Sequence, residues 1–254
     1  MLASLIELAP AGFERVDGEG FVEFAVYGAP GEVPSLPRGP AEVGGVSVTV
    51  RGDTIADDWA ERWRAFHRPA MVGGRLWVRP PWEPPTEDPG VTDLVIDPGA
   101  AFGTGTHPTT RLCLELLLGV EPGGSLVDLG CGSGVLAIAA AKLGFAPVAA
   151  VDFEVAAVEA AAGNALANEV ELARVERLDV RRDELPRADV VVANLTGPLL
   201  RSLSPRIAAA AGSVALLSGI LAAEADEVAA AFVGLEVRKR VMADGWSGLL
   251  LAQP

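Results

Sequence analysis

The sequence predicts an α/β protein: a doubly wound, mostly parallel sheet that ends in an antiparallel hairpin, preceded by a small α+β unit. Three observations carry this. From about residue 126 to residue 232, short apolar runs alternate with Ala/Leu-rich stretches of helical character, the pattern of repeated right-handed strand-helix-strand units. At one junction, Val127 to Gly134, the chain reads V-D-L-G-C-G-S-G, a strand, a tight glycine turn and the start of a helix. The final two apolar runs are separated only by the turn A-D-G-W, which makes them a hairpin.

Composition bounds the function. A chain of 254 residues exceeds the usual size of one domain, so one large and one small domain are expected. The formal charge is −14 and the pI about 4.6, which argues against a surface built to neutralise phosphates and suits a basic partner better. No direct nucleic-acid binding is therefore expected. Cys113 and Cys131 have no framework spacing and read as reduced thiols, with no metal site. The start M-L-A-S-L-I-E-L lacks a basic leader, and the apolar stretch 207–223 is broken by Gly212, Ser213, Ser218 and Gly219. The expectation is a cytoplasmic monomer without a membrane span.

Taken in order, residues 1–57 form the first unit. Alternation in 20–27 and 45–50 predicts two strands joined by a Pro/Gly-rich segment, 28–44. Its acids, among them Glu7, Glu14, Asp17, Glu23 and Glu42, outnumber Arg15, Arg38 and Arg51; a docking face for a basic protein and a merely solvated face are both open readings. Residues 58–90 read as a linker. Trp59, Trp63 and Phe66 at helical spacing predict a short helix ended by Pro69, 75–82 one strand and a turn, and E-P-P-T-E-D-P-G no regular element. The main domain spans 91–254. A strand at 93–98 leads into A-A-F-G-T-G-T-H-P-T-T, and Pro108 opens a helix to about Leu118 capped by Thr106 or His107. Strands follow at 126–129, 147–151, 173–178, 188–193 and 214–217, with helices at 135–143, 155–168, 198–210 and 222–232 between them, and strands 235–241 and 248–252 close the chain.

The site residues fall at strand ends. The glycine turn exposes backbone N–H groups to a nucleotide-like ligand. A carboxylate at Asp128, beside Gly130 and Gly132, would repel a pyrophosphate and suits a ligand that brings a cation, such as a methionyl ammonium. Asp152 ends the next strand about 20 residues on, the spacing at which a carboxylate accepts the ribose hydroxyls. These two acids favour S-adenosylmethionine over NAD, the alternative for Asp128 being a cap on the turn. In the loop before the first long helix, Gly103 and the hydroxyls leave room for a ligand, Phe102 could pack on an adenine, and Thr109 either meets the ligand or caps its own helix. Asn194, after V-V-V-A, offers an amide oxygen to an incoming amine, where methyl transfer needs a neutral, desolvated and aligned nucleophile; ending the strand in a turn is its structural alternative.

D-L-G-C-G-S-G resembles the first motif of the Rossmann-like methyltransferases. Together with F-G-T-G-T-H-P-T-T, V-D-F-E and A-N-L-T-G-P-L it resembles the ribosomal protein L11 methyltransferases, and W-A-E-R-W-R-A-F-H-R-P and the Pro81–Trp82 pair are similar to that family's linker. The resemblance implies a class I methyltransferase sheet and S-adenosylmethionine-dependent methylation of lysine side chains and the N-terminal α-amine of a basic ribosomal protein, presented by the N-terminal unit. It also implies that Thr109, Gly130, Asp152 and Asn194 contact the cofactor or the target amine. The competing functions are an NAD-dependent oxidoreductase, a methyltransferase acting on a nucleobase or small-molecule amine, and a cofactor-binding module without turnover.

Overall fold

The computed structural model describes residues 14–18, 21–26, 38–43, 45–52, 67–98, 103 and 105–254. The chain divides into two compact units, 1–62 and 63–254.

In the first unit, β1 (Glu14–Gly18) pairs antiparallel with β2 (Phe21–Ala25), and β3 (Gly39–Val43) pairs antiparallel with β4 (Val46–Val50). The two strands read from the sequence are thus present but are not each other's partners. Each closes a hairpin with its own sequence neighbour, because the segment taken as a connection supplies β3. Short-range closure costs less chain entropy than joining 21–25 to 46–50 across a long loop.

In the second unit, β5 (Ala70–Val72) and β6 (Leu76–Arg79) form a hairpin, and β7 (Thr92–Val95) adds parallel to β6. The sequence predicts strands at 75–82 and 93–98, which appear as β6 and β7, and does not predict β5. The side chains of β6 alternate, with Leu76 and Val78 fully buried, and Arg79 locks β6 to β7 through a two-pronged ion pair with Asp93 (Nε–Oδ1 2.9 Å, Nη2–Oδ2 2.7 Å). Residues 83–90 make no regular element, as expected. The helix expected around Trp59 to Phe66 lies outside the described residues.

Next come α1 (Pro108–Leu117), β8 (Leu126–Leu129), α2 (Val135–Leu143), β9 (Val148–Asp152), α3 (Val155–Ala167), β10 (Arg174–Arg177), β11 (Ala188–Asn194), α4 (Gly197–Ala210), β12 (Ala211–Leu221), α5 (Ala225–Ala231), β13 (Glu236–Ala243) and β14 (Trp246–Ala252). These follow the sequence pattern closely. Strands order β10-β9-β8-β11-β12-β14-β13, parallel except for β14, which runs antiparallel to both β12 and β13. The fold is the expected α/β class. Apolar side chains fill both faces of the sheet: Leu126, Ile138, Leu114 and Leu116 on one, Leu129, Leu200, Ile207 and Phe232 on the other. Each fully buried side chain of this size contributes roughly 1.5–3 kcal/mol.

Two local devices keep the helices where the site needs them. At α1, Pro108 occupies the first turn, where no N–H is required, and the His107 ring caps the helix by accepting from Thr109 N. In α4, Pro205 cannot donate to the Arg201 carbonyl; the buried Ser204 hydroxyl donates there instead, at 2.9 Å. Among the described residues no helix is long and apolar enough to cross a membrane.

Candidate active site at the carboxyl ends of three central strands

β8 lies between β9 and β11, and the registers fix what faces what. Asp128 pairs with Ala150 on one side and with Val192 on the other. Asp152 and Asn194 are therefore each two residues beyond those partners, about 7 Å further along their strands. All three sit at the end of the sheet where ligands of doubly wound folds bind.

The glycine turn is shaped by backbone geometry. Gly130, Gly132 and Gly134 have φ of 75°, 51° and 80°, values that cost a side-chain-bearing residue steric energy. At Gly130 a Cβ would also lie 2.7 Å from Leu195 Cδ2, so the turn and the end of β11 approach as closely as they do because that atom is absent. The turn is tied to β9 as well, since Gly130 N and Cys131 N both donate to Val151 O (2.9 and 3.1 Å).

Asp152 accepts from Gly132 N at 3.0 Å through Oδ2 and from Glu154 N at 3.1 Å through Oδ1. Each oxygen keeps a second lone pair for a further donor. Asp128 is fully buried; its Oδ2 accepts from Ala137 N at 3.3 Å, and its Oδ1 has no partner. Burial, assisted by the neighbouring charge of Asp152, pushes the Asp128 carboxyl up to about 7, although the Ala137 bond opposes this. An unpartnered buried carboxylate oxygen is costly, and a cationic group reaching it would remove that cost.

Asn194 Oδ1 is likewise buried without a partner, while its Nδ2 donates to Thr110 Oγ1 at 3.4 Å. The hydroxyl next to Asn194 is thus that of Thr110, a residue not singled out from the sequence. Thr109 Oγ1 instead sits 2.8 Å from His107 Nδ1. Burial lowers the pKa of the His107 ring, which packs edge-on to Trp246 at 5.6 Å between centroids. Gly103 carries φ of 104°, and its carbonyl accepts from the Ser133 hydroxyl at 2.6 Å. Phe102 lies outside the described residues. Cys113 and Cys131 are buried free thiols, pushed up by burial and by Asp128, and among the described residues no group of metal-ligating side chains occurs.

A model of the ribosomal protein L11 methyltransferase family matches residues 41–253. The chain belongs to that family. A ribosomal protein L11 methyltransferase of Azotobacter vinelandii is 48% identical over 196 residues, covering 74% of this chain and 66% of the relative. One from Enterobacter is 43% identical, covering 70% and 61%. The chain thus spans somewhat less than two thirds of the length of these curated relatives in the matched region. Among solved structures, a ribosomal protein L11 methylase from Lactobacillus delbrueckii subsp. bulgaricus superposes with a TM-score of 0.68 at 28% identity, covering 74% of this chain and 99% of that one.

The residues present fit the adenosyl sulfonium cofactor that a methyltransferase family implies. Asp128 has a buried oxygen without a partner for the ammonium, Asp152 has lone pairs for the ribose diol, and the turn at Gly130, Gly132 and Gly134 holds positive φ without side chains. Sequence reasoning missed Thr110, Ser133, Asn164 and Asn168. The last two carried a signal: two amides four residues apart, Asn164 and the C-cap Asn168, in an otherwise Ala-rich stretch.

Proposed function

We propose that this chain transfers methyl groups from S-adenosylmethionine to amino groups of ribosomal protein L11, lysine side chains and the N-terminal α-amine, in the cytoplasm. Residues 1–57 recognise the substrate, 58–90 connect, and 91–254 carry out the transfer. The observation that carries the reading is the buried, unpartnered Asn194 Oδ1 beyond Asp128 in the strand register. Family membership supports the choice of substrate, and so does the charge of −14 against a basic protein.

S-adenosylmethionine, when bound, supplies an electrophilic methyl group on a cationic sulfur. The protein's share is binding, alignment and exclusion of water. Asp152 accepts the ribose hydroxyls, Asp128 takes the ammonium, and the Gly130 and Gly132 turn, with Gly103 and Phe102, encloses the nucleoside. Asn194 Oδ1 accepts an N–H of the target amine and aims its lone pair; Thr109 completes the wall of the site. No general base beyond solvent is required once the amine is neutral.

The test is a transfer assay with labelled S-adenosylmethionine and the full chain on a cell extract that holds ribosomal proteins, RNA and small molecules, fractionated afterwards. Label on the nitrogens of one small basic protein is the expected result. Label in an RNA or small-molecule fraction would instead support an N-methyltransferase with a nucleobase or small-molecule acceptor.

A further inference from the structure

A buried polar chain outside the strand ends joins α3 to the glycine turn. Asn168 treats Val95 as a neighbouring strand would. Its Oδ1 accepts from Val95 N at 2.9 Å, and its Nδ2 donates to Val95 O at 2.6 Å. One turn earlier on the same face, Asn164 Oδ1 accepts from Asp97 N at 2.9 Å, and Asn164 Nδ2 donates to Ser133 O, also at 2.9 Å. Ser133 in turn donates its hydroxyl to Gly103 O at 2.6 Å. Asn168 Nδ2 also donates to Asn164 O at 2.8 Å, so the two amides brace each other.

The partners leave no freedom in this arrangement. A backbone N–H at Asp97 requires the oxygen end of the Asn164 amide, and the Ser133 carbonyl requires its nitrogen end, so the side chain cannot flip without losing both bonds. Asn164, Asn168 and Ser133 are all at least nine-tenths buried. Asparagine is a poor helix former compared with the alanines around it, and a half-satisfied buried amide costs more than none. Helix packing alone would be served by alanine.

We infer that Asn164 and Ser133 are positioning residues of the cofactor site, holding the backbone at Asp97 and at Gly103 onto the glycine turn that follows β8. The inference rests on the cofactor reading above. Among the described residues β7 pairs with β6 alone, and the last backbone bond between them is Ile96 N to Arg79 O at 2.8 Å, so at Asp97 the strand ladder has ended. Asn164 takes the backbone N–H at Asp97, and Ser133 donates to the carbonyl at Gly103. Both meet at Ser133, whose own φ-positive neighbours Gly132 and Gly134 set the direction of the turn. Losing either link lets the backbone before α1 drift from the turn, and the cofactor then binds a less organised site.

The experiment uses the full-length chain and S-adenosylhomocysteine as probe, with titration calorimetry for affinity and thermal unfolding for stability. Wild type binds; if it does not, the cofactor reading fails, and this inference with it. Ser133→Ala, which removes the hydroxyl's bonds to Gly103 O and from Val135 N, binds roughly tenfold more weakly while still unfolding in a single cooperative transition, its midpoint lowered by a few degrees. Asn164→Ala binds at least as weakly as Ser133→Ala, and the double variant no more weakly than Asn164→Ala, because the two are links of one chain. Wild-type binding together with a Ser133→Ala affinity within twofold of it overturns the inference while leaving the cofactor reading standing. So do losses that multiply in the double variant. Should Asn164→Ala fail to fold, Ser133→Ala decides alone.

Discussion

Gly219 and Asn194 are close because one of them has no side chain. A Cβ on Gly219 would lie 3.2 Å from Asn194 Oδ1 and 2.3 Å from the Leu195 carbonyl oxygen, and Gly219 itself has φ of 80°. The bulge of β12 against β14 between Leu217 and Ile220 thus clears space behind the amide proposed to receive the target amine. Gly219→Ala must displace the Asn194–Leu195 backbone and strain its own, at a cost of roughly 1–3 kcal/mol in stability. The larger effect falls on turnover: kcat/KM drops about tenfold or more, while S-adenosylhomocysteine binding changes little. Equal losses in binding and turnover would show that Gly219 does not act through Asn194.

Asp152 tests the other end of the site. Its carboxylate holds the Gly132 and Glu154 amides and has lone pairs left for a diol. Asp152→Ala weakens S-adenosylmethionine binding by about 1–3 kcal/mol. Calorimetric titration reads this directly, and an unchanged dissociation constant removes Asp152 from the ribose position.

Asp128 makes stability depend on pH in a known direction. Its carboxyl is raised from 3.8 to about 7 by burial, so the fold favours the protonated form. The stability this gives is full below the unfolded value, near pH 4, and is lost as pH rises through about 7. At about 1.36 kcal/mol per unit, the difference between wild type and Asp128→Asn shifts by up to about 4 kcal/mol over that window, against the wild type, and is flat above it. Urea unfolding of both cofactor-free proteins at pH 4, 5, 6, 7 and 8 checks this. A pH-independent difference would mean that Asp128 stays charged throughout.

The acceptor sets a separate pH dependence. A lysine has an unperturbed pKa near 10.4 and must be neutral to attack, so the transfer rate rises between about pH 7 and pH 9. Single-turnover rates with ribosomal protein L11 measure it. A flat profile with chemistry rate-limiting would show that the site itself strips the proton on burial.

Much of this was readable from residue order alone. The apolar runs, the three glycines after Leu129 and Pro108 placed the strands and helices of 108–254 within a few residues, because each rests on local backbone preferences. Asp128, Asp152 and Asn194 were legible for the same reason: each is the polar residue that ends or interrupts a buried strand. The placement of the first hairpins was not. Alternation marks a strand but carries no information about its partner, so β2 and β4 were found while β1 and β3, their partners, were not.

The sequence by itself determined which segments become helix or strand and which polar side chains stand at the strand ends, since those follow from periodicity and punctuation within a few residues. Only the tertiary structure decided the rest. Thr110 rather than Thr109 faces Asn194, β5 to β7 form a sheet of their own, and Asn164 joins Asp97 to Ser133 across spans of 67 and 31 residues. The physical reason is common to all three: a hydrogen bond's value depends on whether both ends are buried together, and burial is fixed only when distant segments meet.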